Sequence, residues 1–451
     1  MGWCPLMLYG VQEVRGHRLS QGPKSLAFGH LPPAFLYPVG CYSPGNEHGF
    51  GSLTCDKRLA RSAGLASVPG FRCDGVQLFG SMMKQVFASQ GQIDVLDVPE
   101  PTLRAAGEVL VATAFSVISS GTELDHLGST LGATETHPEL RPSGLPKLRS
   151  ASISWEMPAD RSFPSGVALQ GYSSAGTVLA VDPEITDLKV GDRVACGGLQ
   201  SAFHGETVAV PRNLVALVPA GVSLDDAAFT TVGTIAMNPI RRSGCQFGET
   251  MVIYGLGLMG LMAVQIARTA GMHVVGIDID NRRVEAAREL GADVALNPNE
   301  TDPVDAVLDF TDGFGADGVI LYVSTKSSEP LNIAFDLCRQ RGYVVGVGQF
   351  GMDIVRSKLF RHDVTFRPSV GYGPGRYDQV YEEGNVDYPI GYVRWSENRN
   401  MKAFLRLLAE RQIEVSSLAS ERLPIQEAAQ AYDLLQSPNR PVTVLLTYGQ
   451  D

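Results

Sequence analysis

One glycine-rich run in the second half of the chain has the spacing of a dinucleotide-binding loop. It follows a short apolar stretch, 251–254, and reads Gly255-Leu256-Gly257-Leu258-Met259-Gly260. In such a loop the first glycine allows a tight turn, the second lets a pyrophosphate approach the backbone, and the third lets helix and strand pack closely. The phosphates accept hydrogen bonds from the free N–H groups at the start of the helix. All six residues are therefore predicted to bind a cofactor; a glycine-rich turn in an unrelated α/β sheet is the alternative.

An acidic residue stands where the next strand is predicted to end, 18 residues after Gly260. This residue, Asp278, can accept hydrogen bonds from the hydroxyls of the adenosine ribose, and its charge disfavours a 2′-phosphate. The pattern therefore favours NAD(H). Arg282 and Arg283 follow closely and keep NADP(H) open, and Arg283 is counted among the cofactor-binding residues. Flavin is less favoured, because such motifs in flavoproteins usually open the chain.

Strands and helices alternate around this motif, which predicts a parallel sheet with right-handed crossovers. The predicted strands are 251–254, 274–277, 318–323 and 343–347, and the predicted helices are 261–270, 282–290 and 330–341. Residues 83–238 instead contain short strands between turns and a long polar stretch at 127–170. The chain is therefore predicted to hold a β-rich region and a β-α-β region.

Composition limits the function classes. A chain of 451 residues with 44% hydrophobic residues fits two folded domains. The net charge of -11 argues against binding to nucleic acid, which needs clustered Lys and Arg. No apolar run reaches the ~20 residues of a membrane span. The seven cysteines form no CxxC pair, which indicates a reducing compartment, most simply the cytoplasm.

The first eighty residues differ from the rest. They hold four of the seven cysteines and an excess of basic residues, and they show no sustained apolar period. A regular pattern begins at Met82 and Met83. We therefore interpret residues 1–82 as a disordered extension or as sequence upstream of a mis-called start.

Several further motifs resemble the medium-chain dehydrogenase/reductase family, the relatives of zinc-type alcohol dehydrogenases. Besides the glycine motif, they are Gly107-Glu108-Val109-Leu110-Val111, Gly121-Thr122-Glu123-Leu124, Gly191-Asp192-Arg193-Val194 and Leu290-Gly291-Ala292-Asp293. The resemblance covers about residues 83–451 and implies an α/β fold, in which a GroES-like β-rich catalytic domain is interrupted by a Rossmann domain with a doubly wound parallel sheet. The implied parts are 83–238 and 370–451 for the catalytic domain and 239–369 for the NAD-binding domain. A small-molecule substrate and a homo-oligomer are also implied.

The positions that hold zinc in this family carry other residues here. The cysteine before the turn is Ser120, the His-Glu position reads Tyr172-Ser173, and the third position falls at about Thr231. Hydroxyls are weak ligands for Zn²⁺. We therefore predict no metal and expect a hydroxyl to handle the proton. The candidates for this catalytic role are Thr122, which matches the proton-relay hydroxyl of the family, and Tyr172; a packed tyrosine is the alternative for the latter.

Three charged residues are candidates for binding substrate. Arg376 and Arg394 lie in a Tyr-, Arg- and Trp-rich stretch at 372–395, and a guanidinium can clamp a carboxylate or phosphate. Glu123 could orient a substrate hydroxyl, although a solvated acid in a turn is the simpler interpretation. Surface arginines in a structural loop are the alternative for Arg376 and Arg394, and His204 has no partner at ligand spacing.

These residues favour a metal-independent, NAD(H)-dependent oxidoreductase acting on an alcohol/carbonyl pair, such as a sugar or polyol. Two alternatives stay open. One is a quinone or enoyl reductase that uses NAD(P)H, and the other is a nucleotide-binding protein without catalysis. A serine hydrolase is excluded, because the run from Gly171 to Ala175 lacks the final glycine of a nucleophile elbow.

Overall fold

The computed structural model describes residues 81–89, 91–103, 107–128 and 167–449. The interpretation of residues 1–82 therefore lies outside the described residues, except at its last two positions, and so does most of the polar stretch 127–170. Among the described residues no helix is both long and apolar enough to cross a bilayer.

The first part of the chain forms two sheets of short strands. Its strands are β1 Met82–Ser89, β2 Gln92–Pro99, β3 Glu108–Val117, β4 Val167–Leu169, β5 Ser173–Val181, β6 Arg193–Gly197, β7 Thr207–Pro211 and β8 Val215–Leu217. β1 lies between β2 and β4, while β3 pairs antiparallel with β5 and with β7. Along β3 buried and half-buried residues alternate, as expected for a strand with one face on a core.

Three helices precede the parallel sheet, one between β3 and β4 and two after β8. They are α1 Ser120–Gly128, α2 Leu224–Ala227 and α3 Thr230–Ser243. Most of α3 is buried, and Gly233 on this helix has no room for a side chain, since a Cβ there would lie 2.1 Å from the ring of Phe404. The helix ends at Gly244, whose φ of 76° is the left-handed conformation that glycine adopts freely.

The middle of the chain forms a parallel sheet with the strand order β11-β10-β9-β12-β13-β14. The strands are β9 Thr250–Tyr254, β10 His273–Ile277, β11 Val294–Leu296, β12 Ala316–Leu321, β13 Cys338–Gly346 and β14 Thr365–Pro368. The helices between them are α4 Leu258–Thr269, α5 Asn281–Glu289, α6 Pro303–Phe310, α7 Glu329–Leu337 and α8 Arg356–Arg361. The order reverses beside β9, and this switch point is where open α/β sheets bind ligands.

One predicted helix is too long. The sequence predicts a helix over 330–341, but α7 ends at Leu337 and β13 begins at Cys338. Cys338 pairs with Ala316 of β12. Residues 338–341 therefore belong to a strand, although their spacing in the sequence predicts a helix. Arg341 then adopts a φ of 61°, which is incompatible with a continued right-handed helix.

The end of the chain returns to the first part. Its elements are α9 Gln379–Glu382, α10 Glu397–Ala409, β15 Glu421–Pro424, α11 Ala428–Gln436 and β16 Val444–Thr447. β16 pairs antiparallel with β3 and parallel with β15. The parallel sheet is thus inserted between the strands of the seven-stranded sheet.

Candidate active site

The glycine loop joins β9 to α4 and is shaped to receive a phosphate. Gly255 has a φ of 99°, and a Cβ on Gly260 would lie 1.9 Å from the carbonyl oxygen of Gly255. A Cβ on Gly257 would meet only Arg283 Nη1, at 3.9 Å, so the outer side of the loop is open. Leu258, at the start of α4, has an N–H without an intrahelical partner, as do the next residues of a helical first turn. These features fit a dinucleotide pyrophosphate at this end of the helix.

Asp278 braces the same loop from the next strand. It is only 7% exposed, and its carboxylate accepts the backbone N–H groups of Leu256 at 2.7 Å and of Asp280 at 2.9 Å. Arg283 Nη1 lies 3.7 Å from Asp278 Oδ2. The structure therefore brings together the predicted cofactor residues, namely Gly255, Leu256, Gly257, Leu258, Met259, Gly260, Asp278 and Arg283. The acid holds the loop in place as well as facing the ribose position.

Tyr172 and Thr122, the two predicted catalytic residues, lie close to each other. Tyr172 is 6% exposed, directly before β5, and Thr122 lies half-buried on α1. Burial raises the pKa of Tyr172 to about 12, while the nearby hydroxyls of Ser119 and Thr122 act to lower it. The hydroxyl of Tyr172 nevertheless forms no hydrogen bond of normal geometry with any described residue. A buried phenol that stays protonated at neutral pH and lacks a partner is suited to donate to an oxygen of a ligand.

Two of the positions that hold zinc in the resembling family carry hydroxyls that are engaged with the backbone. Ser173 Oγ donates to the carbonyl of Ala228 at 2.6 Å and accepts the N–H of Thr231 at 3.2 Å. Thr231 Oγ1 donates to the carbonyl of Cys196 at 3.2 Å. These hydroxyls are used by backbone groups and carry no charge to bind Zn²⁺. Within the described ranges no cluster of three His, Cys, Asp or Glu side chains could hold a metal.

Glu123 is not a solvated acid, which corrects the simpler interpretation of the sequence. It is 2% exposed and accepts the backbone N–H of Ser119 at 2.8 Å, the ring of His204 at 3.1 Å and the hydroxyl of Tyr432. The other ring nitrogen of His204 lies 2.7 Å from Ser116 Oγ. Through these contacts Glu123 holds the turn that carries Ser119 and Thr122, and its predicted contact with a substrate hydroxyl stays a prediction.

This buried network is the part of the site that sequence reasoning missed. Its members come from β3, α1, the loop before β7 and the C-terminal segment: Ser116, Glu123, His204, Tyr432 and Tyr448. No spacing in the sequence relates them, since only the return of the chain to the first sheet brings Tyr432 and Tyr448 to the others. The sequence predicts only that His204 has no partner at the spacing of a metal site. It does not predict the contact between the His204 ring and the Glu123 carboxylate.

Arg376 and Arg394 each contact other side chains of the protein. Arg376 is 12% exposed and its Nη1 lies 2.7 Å from Glu382, so its guanidinium already has a carboxylate. Arg394 stacks at 3.9 Å on the ring of Trp395, which Arg241 also contacts at 3.5 Å. Arg241 lies about 15 Å further along α3 than Thr231 at a helical rise of 1.5 Å per residue. A direct role of either arginine in binding substrate at the tyrosine is therefore not supported by these contacts.

Comparison with known proteins gives a consistent set of relatives. Residues 259–384 match the family model described as "Zinc-binding dehydrogenase". An alcohol dehydrogenase of Geobacillus stearothermophilus is 28% identical over 214 residues, which are 41% of this chain and 62% of that protein. A second alcohol dehydrogenase of the same organism is 29% identical over 208 residues and 60% of its length. The chain thus matches less than two thirds of the length of these curated relatives.

Solved structures share the fold over a larger part of the chain. The alcohol dehydrogenase TADH from Thermus sp. ATN1 superposes with a TM-score of 0.61 at 22% identity, covering 81% of this chain and 99% of that one. Galactitol-1-phosphate dehydrogenase from Escherichia coli gives a TM-score of 0.63 at 19% identity, covering 81% and 100%. The fold class predicted from the sequence is confirmed, and so is the resemblance drawn from its motifs.

Proposed function

Because the chain is related to the medium-chain dehydrogenase/reductases, we propose that it is an oxidoreductase that uses a nicotinamide dinucleotide and acts on an alcohol/carbonyl pair. The observation that carries this proposal is the unpartnered buried hydroxyl of Tyr172 in a chain that also has an open glycine loop. The loop and Asp278 hold the adenosine and pyrophosphate portions, and Asp278 favours NAD(H). A bound nicotinamide supplies hydride transfer; the protein supplies binding, orientation and the proton.

The proton is handled by Tyr172 rather than by a metal-polarised water. The phenol donates a hydrogen bond to the substrate oxygen, and it can release its proton as negative charge develops there. Thr122, half-buried beside it, connects the phenol to solvent, so that the proton can be replaced. Glu123 is a positioning residue, since it fixes the backbone of Ser119 and thereby the turn that carries Thr122.

The substrate class is proposed from the sequence of one stretch of the chain. The stretch at 372–395 resembles that of a zinc-less branch of the family found beside sugar-modifying enzymes, which favours a sugar or polyol. A homo-oligomer is proposed from the family resemblance alone. A reducing compartment such as the cytoplasm is supported by Cys196, Cys245 and Cys338, which are unpaired in the part of the chain that the structure describes.

The decisive experiment is a substrate panel with metal-stripped protein. Alcohols, polyols, aldehydes, ketones, quinones and enoyl compounds are tested with NADH, NADPH and their oxidised forms, and the zinc content is measured in parallel. Turnover of an alcohol/carbonyl pair without zinc is the expected result. Turnover of only the quinone or enoyl compounds would favour the reductase alternative, and coenzyme binding without any turnover would favour a non-catalytic protein. Activity that returns only on adding Zn²⁺ would contradict the metal-independent mechanism.

A further inference from the structure

Two guanidinium groups lie against the ring of one half-buried tryptophan. Arg241, in the last turn of α3, has its Cζ 3.5 Å from the ring centre of Trp395, and the exposed Arg394 has its Cζ 3.9 Å from the ring of the same residue. A guanidinium is stabilised by stacking on an indole, but two cations on one indole also repel each other. The arrangement is therefore sensitive to any charge placed beside it.

Neither guanidinium forms an ion pair with a carboxylate of the residues that the structure describes. Arg241 donates from Nη2 to the sulfur of Met237 at 3.2 Å, and its buried Nε has no hydrogen-bond partner among the described residues. Burial, and after it the charge of Arg394, lowers the pKa of Arg241 to about 10. An anion at this place would pair with the buried N–H group and offset the repulsion between the two cations.

Two further arginines at the same end of α3 add positive charge. Arg242 donates to the carbonyl of Pro368 at 2.8 Å, and Arg367 donates to the carbonyl of Arg242 at 3.0 Å. Within the described part of the chain, neither of these side chains forms an ion pair. The negative end of the helix dipole favours Arg241 and Arg242, but it does not account for Arg394, which comes from another segment. In a chain with a net charge of -11, this local excess of positive charge is suited to an anion.

The arrangement favours a phosphate over a single carboxylate. A guanidinium binds either group through paired N–H donors, and a phosphate monoester carries a charge of about −1.5 to −2 at neutral pH. Because both arginines contact the same indole, one phosphate at the edge of the ring can reach both. A carboxylate carries a single charge and would leave one of the two cations uncompensated.

We propose that Arg241 and Arg394, stacked on Trp395, form a binding site for phosphate, either inorganic phosphate or the phosphate group of a small metabolite. Thr231, whose N–H contacts Ser173, precedes Arg241 on α3 by about 15 Å at a rise of 1.5 Å per residue. The site is therefore separate from the proposed proton donor. This inference does not rest on the proposed function, since it requires neither a coenzyme nor turnover.

The test measures phosphate binding to the full-length protein, to Arg241→Gln and Arg394→Gln, and to a control, Arg406→Gln, which removes an exposed arginine of α10 that pairs with Glu410. Calorimetry uses inorganic phosphate and glycerol 3-phosphate, with chloride at the same ionic strength as the blank. Each titration is repeated with saturating NADH, which would occupy any phosphate position at the glycine loop. Thermal unfolding without phosphate checks that each variant retains the fold.

Trp395 provides a second, optical measurement. The chain has three tryptophans, and Trp3 and Trp155 lie outside the described residues. Fluorescence should change as phosphate is added to the wild type, and this change should be absent in Trp395→Phe. A change that persists in Trp395→Phe would place the phosphate elsewhere and overturn the proposal.

In the presence of NADH we expect the wild type to bind one phosphate per chain, whereas chloride gives no saturable signal. Arg241→Gln and Arg394→Gln should each bind phosphate about tenfold more weakly, as for the loss of one charge-assisted hydrogen bond, and the control should match the wild type. Tighter binding of inorganic phosphate or of glycerol 3-phosphate would identify the source of the phosphate group, and either result supports the site.

Three results would overturn the proposal: no saturable phosphate binding, wild-type affinity in either arginine variant, or loss of phosphate binding when NADH is present. The last would place the phosphate at the glycine loop. If neither nicotinamide coenzyme binds while phosphate binds and depends on both arginines, the proposed function fails and this inference stands.

Discussion

Two buried tyrosines allow the proposed catalytic hydroxyl to be separated from a structural one. Tyr172 is buried with no hydrogen-bond partner among the described residues, whereas the hydroxyl of Tyr432 donates to the carboxylate of Glu123. Both rings pack in hydrophobic clusters, so replacement by phenylalanine keeps most of the packing in each case. The pair therefore offers the same chemical change in two different hydrogen-bonding situations.

The two substitutions, Tyr432→Phe and Tyr172→Phe, are expected to change the free energy of unfolding differently. A hydrogen bond to a charged group contributes about 1.5–3 kcal/mol, so Tyr432→Phe should lower the free energy of unfolding by that amount. Tyr172→Phe removes an unsatisfied buried hydroxyl, and the free energy of unfolding should stay unchanged or rise by up to about 1 kcal/mol. Turnover should be affected mainly by Tyr172→Phe. This variant loses the proposed proton donor, so its rate should fall by a factor of about 10²–10⁴.

The assay combines urea unfolding with steady-state rates on the best substrate from the panel, using the wild type and both variants. Binding of the coenzyme should be the same in all three, because neither hydroxyl lies at the glycine loop. The reasoning is refuted if Tyr172→Phe loses about 1.5–3 kcal/mol of stability, which would make its hydroxyl structural, or if its turnover equals that of the wild type.

Three further changes test other parts of the structure. Gly260→Ala places a Cβ 1.9 Å from the carbonyl of Gly255, so coenzyme binding, followed by NADH fluorescence, should be lost. Glu123→Gln removes the buried carboxylate charge that faces the ring of His204 and the hydroxyl of Tyr432, and urea unfolding should show a loss of about 1.5–3 kcal/mol. Glu397 is fully buried, and burial raises its pKa to about 9, so its contribution to stability is present below about pH 4.5 and is lost as pH rises toward 9. Relative to Glu397→Gln, the wild type should therefore lose up to about 4 kcal/mol between pH 5 and pH 8, at 1.36 kcal/mol per pH unit.

Each of these changes has a control. Gly191→Ala tests a glycine with a positive φ but no neighbour within 4 Å, so it should leave coenzyme binding intact. Glu427→Gln removes an exposed carboxylate and should change stability by less than about 0.5 kcal/mol. A pH-independent difference between Glu397→Gln and the wild type would show that the buried carboxyl is already ionised in the folded protein across that range, which would contradict its raised pKa. A Gly260→Ala variant that binds NADH normally would mean that the loop is not where the coenzyme sits.

The sequence predicts the parts of the fold that are encoded locally. The glycine loop, β9, β10 and the helices after them follow from apolar runs, helical spacing and glycine positions within about forty residues, and the structure has them within one to three residues of the predicted bounds. The excess length predicted for α7 has a physical cause, because strand pairing of Cys338 with Ala316 overrides helical spacing.

The catalytic side of the site is predicted less completely. Thr122 and Tyr172 could be proposed because motifs mark their positions. The environment of Glu123 could not, since its partners His204 and Tyr432 lie in other parts of the chain and meet it only in the folded protein. Arg376 is a second example. The sequence shows only that this arginine lies near aromatic residues, whereas its ion pair with Glu382 depends on the folded turn around α9.

The pairing of β16 with β3 constrains the order in which the molecule can be assembled. The place beside Val117 is filled by Leu445, so the seven-stranded sheet stays open until the inserted parallel sheet has been synthesised. During that interval the end of β3, residues 115–117, presents an unpaired edge that could join a strand of another chain. Early folding of the inserted region would shorten the effective loop between the two partners and thereby speed closure of the sheet. The inserted parallel sheet would then act as the folding scaffold for the seven-stranded sheet around it.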